Sequence, residues 1–509
     1  MRGHTTVRVP LNKTLLRGAL ALGTLLAGTQ TSTYEEAYRP QVHFSPREHW
    51  TNDPNGLVYL HREYHLFYQF NPFGNEWGHM SWGHAVSTDL LHWTELPVAI
   101  PEENGEMAFT GSVVVDRDNT SGFCAPQQDC LVAIYTGYHD TPEGARQTQN
   151  LAYSVDEGRT WTRYAENPVI DLHLADFRDP SVSWDEKQNH WLMAVSLPTQ
   201  HKVRFYSSSN LKQWTQLSDF GPAGDVQGAW ECPDLLLIPA DRGKENMWAL
   251  KIGLNPGAPQ GGSGEQYFLG EFDGTRFVAS AEPGSHGWTN YGKDDYCAIS
   301  FNALPRNEKP VLIGWMNNWQ YAAKLPTSPW RGQMSIPRRL SFVRDQSGFA
   351  LKQEPVIALI RAGETDVSVP PGGHRESHVL ETPFELDLQF SSSPKQVFGV
   401  RLLSDERHWT EIGFDQPKGQ FYMDRTKSGA TVSRDFPART TAPLVGSRAF
   451  DLKLIVDRCS IEAYAQNGTI AMSNLVFPPS QNNKIAFFSS SGKPVPVTGK
   501  IWQLRSIWK

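Results

Sequence analysis

FRDPSVSWDEKQNHWLMAVSLPTQHKVRFYSSSNLKQW (Phe177–Trp214) is the stretch from which the fold can be read. Two short apolar strands, FRDPSVSW and HWLMAVSL, flank the polar turn DEKQN, and a third strand runs into the turn SSNLKQW before Trp214. Units of the same plan lie on either side. They open with NDPNGLVYL at Asn52, FTGSVVVD at Phe109, ECPDLLLI at Glu231 and DDYCAISF at Asp294, so successive starts are 54–68 residues apart. Second strands follow in each (HLFYQF, CLVAIYTG, MWALKIGL, VLIGWMNN), and the turn before Trp recurs at Trp93 and Trp161, with Phe277 in that place in the fourth unit. A period of this length, with about four short strands per unit, is the signature of propeller blades, because one unit alone cannot bury both its faces. Five units predict a five-bladed β-propeller over residues 38–345. Trp93, Trp161 and Trp214, at equivalent turns, read as structural.

Beyond it the pattern changes. Residues 346–375 read as a linker with a short helix around KQEPVIALIRAG, and from 376 to 509 strands such as FELDLQF, VFGVRLL, FDLKLIVD and SIEAYA recur at the spacing of a β-sandwich. The fold class is therefore all-β, a five-bladed propeller followed by a C-terminal sandwich that shields and stabilises it. Composition agrees: of 509 residues, 39% are hydrophobic and 11% aromatic, with 42 Gly and 35 Pro, which excludes wholesale disorder and favours strands and turns over helical bundles. A formal charge of −7 argues against a nucleic-acid or anionic-membrane partner and suits a neutral substrate.

Residues 1–33 read as an export signal. Arg2, Arg8, Lys13 and Arg17 precede the apolar run GALALGTLLA, which is too short to span a bilayer, and a secreted or periplasmic protein is expected. The five cysteines form no disulfide framework and no zinc pattern, although Cys124 and Cys130 can close a small loop in an exported protein. His79, His84 and His92 share no metal-ligand spacing, so neither a metal nor a cofactor is expected.

The first strand of a blade lines the propeller axis. Three of the five first strands begin with a carboxylate: Asp53 in NDPNG, Asp179 in FRDP and Glu231 in ECPD. Aimed at one small volume, three acids cannot all ionise freely, and at least one is pushed towards the neutral form. Glycosidases use that environment, with one carboxylate attacking and another held protonated as the acid. Asp294 and Asp295, at the fifth start, are left as rim or binding acids.

These strings resemble glycoside hydrolase family 32, the invertases, inulinases and levanases. WTNDPNG (50–56), FRDP and ECPD match its ordered signatures, and the likeness extends through residues 68–93, FTGS (109–112), GGSGEQYFLGEFDG (261–274), WMNNWQYAAKLPTSPWRGQMSIPRRL (315–340) and VDRCSIEAY (456–464). The chain departs from the family pattern at Thr51, where Met is frequent, and at Cys459, where Ser is usual. The resemblance implies that Asp53 is the nucleophile towards a terminal β-fructofuranosyl unit, Glu231 the acid and then base, and Asp179 a non-reacting acid that holds ring hydroxyls, kept ionised by Arg178. That double displacement needs the two reacting carboxyls about 5–5.5 Å apart. It further implies that Asn52, Gln69, Trp77, Phe109, Thr110, Ser112, Arg178 and Trp330 surround the sugar, and that the substrate is a fructan or sucrose. The strings at 261–274 and 315–340 are closer to exo-acting inulinases and levanases than to plant invertases. A fructosyltransferase using the same intermediate is the alternative. A non-catalytic carbohydrate-binding protein would have no need of all three acids.

Overall fold

The computed structural model describes residues 34–508, apart from 127, 283, 346–347, 371–378, 392–394, 447–448 and 493–494; the expected export signal at 1–33 lies outside the described residues. Five antiparallel sheets follow one another in the chain. Their first strands are His49–Leu60, Glu106–Asp116, Arg178–Asp185, Ala229–Pro239 and Tyr296–Ser300, and each packs on the next, with the fifth returning to the first. Trp330–Arg331 runs parallel to His49–Trp50 on the inner edge of blade one and helps close the ring.

The recurrent turn has a physical cause. Asp89, Asp156, Asn210 and Asp273 each accept backbone N–H groups from residues two to four positions on, which folds the chain ahead of Trp93, Trp161, Trp214 and Phe277; Trp161 then meets Phe67 of blade one edge-on and Phe277 meets Phe220 of blade three.

The linker expected at 346–375 is corrected by the strand pairing. Gly348–Pro355 pairs with Arg338–Asp345 as the outer strand of blade five, and Arg361–Val369 pairs with Val497–Leu504 as an edge of the sandwich. The expected helix is one 3-10 turn, Ala358–Ile360. Two six-stranded sheets make up the sandwich, and alternating residues such as Phe384, Leu386, Leu388 and Phe390 enter its core.

The two parts are joined by buried charge. Arg425 of the sandwich donates to Asp294 (2.5 Å), which also accepts from the Tyr321 hydroxyl (2.5 Å), while Asp295 accepts two bonds from Arg338 (2.9 and 3.1 Å). Asp294 and Asp295 are therefore fixed inside the protein and are not rim acids. At a second point the VDRCSIEAY segment grips the lead-in to the propeller: Asp457 accepts the backbone N–H groups of Gln41 and Val42 and meets His43 Nδ1 at 2.8 Å, with Glu462 at 3.3 Å from Nε2.

This clamp has a pH signature. Burial alone would lower the His43 pKa, but the bonds to and charges on Asp457 and Glu462 outweigh it and raise it to about 9. Because the folded value exceeds the unfolded one of about 6.5, the stabilisation is complete below that pH and is lost between there and about 9. Its size is on the order of 3 kcal/mol. The melting temperature should thus fall as pH rises from 6.5 to 9.5, whereas His43→Gln should melt lower at pH 6 and show a much shallower slope. An unchanged slope in the variant would remove His43 from the clamp.

Candidate active site

All five first strands carry a bulge at the same height. The register against the second strand slips between Thr51 and Pro54, Ala108 and Gly111, Arg178 and Ser181, Glu231 and Asp234, and Tyr296 and Ile299. A bulge breaks the two-residue alternation and re-aims side chains, here towards the axis. The three acids occupy three successive positions of this device: Glu231 just before the bulge, Asp179 first within it and Asp53 second. Asp179, Cys232 and Cys297, at the first bulged position of blades three to five, take φ of 65°, 47° and 45°, a left-handed backbone that non-glycine residues seldom adopt.

The acids converge as the sequence leads one to expect. Thr110 Oγ1 donates to Asp53 Oδ2 (2.9 Å), while Asp53 Oδ1 is buried with no hydrogen-bond partner among the described residues. Burial, then the charges on Asp179 and Glu231, push Asp53 up to about 7. Burial likewise pushes Asp179 up to about 7, with Arg178 opposing the rise and Glu231 adding to it. The Cys232 N–H donates to Asp179 Oδ2 (2.9 Å).

Arg178 does not pair with Asp179 as expected. Its Nε and Nη2 donate to Glu231 Oε1 (3.0 and 2.9 Å) and its Nη1 to Asp176 Oδ1 (2.8 Å). Tyr296 donates its hydroxyl to the other oxygen of Glu231, Oε2. Tyr296 precedes its bulge just as Glu231 precedes its own, which is why the two side chains meet. The sequence carried that signal, since both residues stand directly before a cysteine.

Most of the expected sugar-contacting residues gather here. Asn52 accepts from Trp50 Nε1 (2.8 Å), and Gln69 donates to the Ala108 carbonyl (3.0 Å). Phe109 stacks on Tyr138 with centroids 4.8 Å apart, and Trp77, 46% exposed, meets Phe109 edge-on at 6.0 Å. Ser112 lies deeper in the axis, accepting the Val182 N–H (2.9 Å). Trp330 is elsewhere: it is 1% exposed, and the Arg39 guanidinium covers its ring at 3.6 Å, so it has no open face for a sugar. The half-buried Trp319 instead packs with Trp50 and Trp315 beside Cys232, Tyr296 and Phe109. Asp53, Cys232 and Cys297 bring three ligand atoms within 4.8 Å of one another, but the two sulfurs are joined in a disulfide and are not available as thiolate ligands.

Residues 43–355 match the N-terminal domain of the glycosyl hydrolases family 32, and residues 360–503 match the family's C-terminal domain. The chain belongs to glycosyl hydrolases family 32. Within the family it is 41% identical to a levanase of Bacillus subtilis, over 94% of this chain and 72% of that protein. It is 39% identical to an extracellular exo-inulinase of Aspergillus awamori, over 98% of this chain and 99% of that protein. The crystal structure of the A. awamori exo-inulinase superimposes with a TM-score of 0.86, covering 93% of this chain and 100% of that one. A β-fructofuranosidase from Schwanniomyces occidentalis, complexed with fructosyl-erythritol, is 33% identical and superimposes at 0.83 over 94% of this chain and 99% of its own.

Proposed function

We propose that the chain is an exported, exo-acting β-fructosidase that removes terminal β-D-fructofuranosyl units from fructans and sucrose with retention. The observation that carries this reading is the bare, buried Oδ1 of Asp53. A buried carboxylate oxygen without a donor is costly, and its use is to form a bond. Asp53 attacks the anomeric carbon and becomes a fructosyl ester. Glu231 gives its proton to the departing oxygen, then takes one from the water that releases fructose. Asp179 accepts from ring hydroxyls as positive charge develops, and Arg178 and Tyr296 orient Glu231. Trp77 and Phe109 offer ring faces to the C–H groups of the sugar. Export is supported by the basic-then-apolar segment at 2–27, by the disulfides Cys124–Cys130 and Cys232–Cys297, and by a relative named as extracellular.

A product profile tests the reading. Sucrose, inulin and levan are incubated separately with the protein, and the sugars are separated over time. Free fructose is expected as the sole early product from both fructans. Short fructo-oligosaccharides would mean endo cleavage, and products longer than the substrate would mean transfer in place of hydrolysis.

A further inference from the structure

The cysteines Cys232 and Cys297 hold equivalent bulged positions in blades four and five. They form a disulfide across a sequence separation of 65, with Cα atoms 5.3 Å apart and both residues 1% exposed. One residue back along each strand stand Glu231 and Tyr296, joined by the hydroxyl-to-carboxylate bond. Two neighbouring rungs, one covalent and one a hydrogen bond, thus tie the same pair of strands. The sulfur of Cys232 also lies 4.0 Å from Asp53 Oδ2 and 3.7 Å from Asp179 Oδ2. Every acid of the site is therefore either chain-adjacent to this disulfide or in contact with it.

Resting on the roles given above, we propose that Cys232–Cys297 is a positioning element of the active site, through which the redox state of the protein sets its turnover. Oxidised, it holds Glu231 against Tyr296 and presents to Asp53 and Asp179 a sulfur that has no proton to donate. A dithiol such as dithiothreitol opens it: one reductant thiolate attacks a sulfur of the pair, the second thiol closes the reductant into a cyclic disulfide, and two electrons and two protons end on Cys232 and Cys297 as thiols. The two strands then lose their covalent tie, and S–H donors face two carboxylates. A 1 Å displacement of a reacting group costs up to about 10²-fold in rate. Hydrogen bonds to the ionised form favour carboxylates, so the acid limb of activity moves to lower pH.

Cys124–Cys130 provides an internal control, since it closes a loop of blade two where Cys130 pairs with Asp116, at the far end of that first strand from its bulge. In the full-length protein, dithiothreitol followed by alkylation and peptide mass mapping reports which pair has opened. Opening of Cys232–Cys297 is expected to lower kcat roughly ten- to hundredfold while KM stays within about twofold, to shift the acid limb downward, and to reverse on reoxidation. Cys297→Ser should show the low kcat without reductant and no further response to it. The double variant Cys124→Ser/Cys130→Ser should keep both the activity and its response. Free thiols at 232 and 297 in the untreated protein would overturn the proposal, as would unchanged kcat and pH profile after opening, or a normal kcat in Cys297→Ser. Should Cys297→Ser not fold, reduction of the native protein decides; should native reduction not proceed, the variant decides. If the untreated protein releases no fructose, it is the assigned function that fails, a result distinct from all of these.

Discussion

Asp53→Asn is expected to lower kcat by roughly 10⁴-fold or more, with KM little changed, because an amide of the same shape fills the site but cannot form the ester. The second consequence of the substitution is a gain in stability. Asp53 is buried, and burial with two neighbouring acids pushes it up to about 7. A carboxyl whose folded value lies above its unfolded value of about 3.9 destabilises the fold once the pH passes the lower figure, and fully above the higher one. Asparagine removes that cost. The variant should therefore melt at a higher temperature than the wild type at pH 7.5 and lose the advantage below about pH 4. Initial rates on sucrose and thermal melts at the two pH values check both halves. Near-normal turnover would remove Asp53 as the nucleophile. A lower melting temperature at pH 7.5 would mean that its charge is better solvated than its burial implies.

The same crowding shapes the pH profile. Asp53 and Asp179 both rise to about 7, so the three-acid cluster gains its first shared proton near neutrality. The singly protonated cluster is the form with both an attacking carboxylate and an acid. Activity should accordingly fall as pH rises above about 7, where that proton leaves.

The repeat made the propeller legible, because strand, turn and aromatic recur at fixed places in the chain. It made the three acids legible too, since only first strands face the axis. Other features depend on contacts between residues far apart in sequence. The stagger of the acids comes from bulges, which pairing with a second strand defines and no single strand displays. Cys232 and Cys297 meet because their bulges face one another across two blades, and sequence distance says nothing of that. Trp330 fits a sugar-binding pattern locally, yet Arg39 from the lead-in segment occupies its face. Residues 348–355 fall within the stretch read as a linker, where Glu354 and Pro355 interrupt the alternation, but eight residue pairs with Arg338–Asp345 hold them in blade five.

Glu231→Gln separates the acid role from the base role. The amide oxygen can still accept from Arg178 and the amide nitrogen can still meet Tyr296, so the fold and the strand positions should persist. What is lost is the transferable proton. With sucrose, whose leaving oxygen needs protonation, turnover should drop by roughly 10²–10⁴-fold. A β-fructofuranosyl donor with a good leaving group needs no acid, so the first step should proceed and the second stall, because no base activates the water. The fructosyl ester on Asp53 should then accumulate, visible as a burst of leaving group equal to the enzyme and as an added fructosyl mass on the peptide holding Asp53. Azide, a nucleophile that needs no base, should restore turnover and give the β-configured fructosyl azide. A variant that hydrolyses sucrose at near-normal rate, or that shows neither burst nor azide rescue, would take the proton-transfer role from Glu231 and leave Asp179 as the acid to test next.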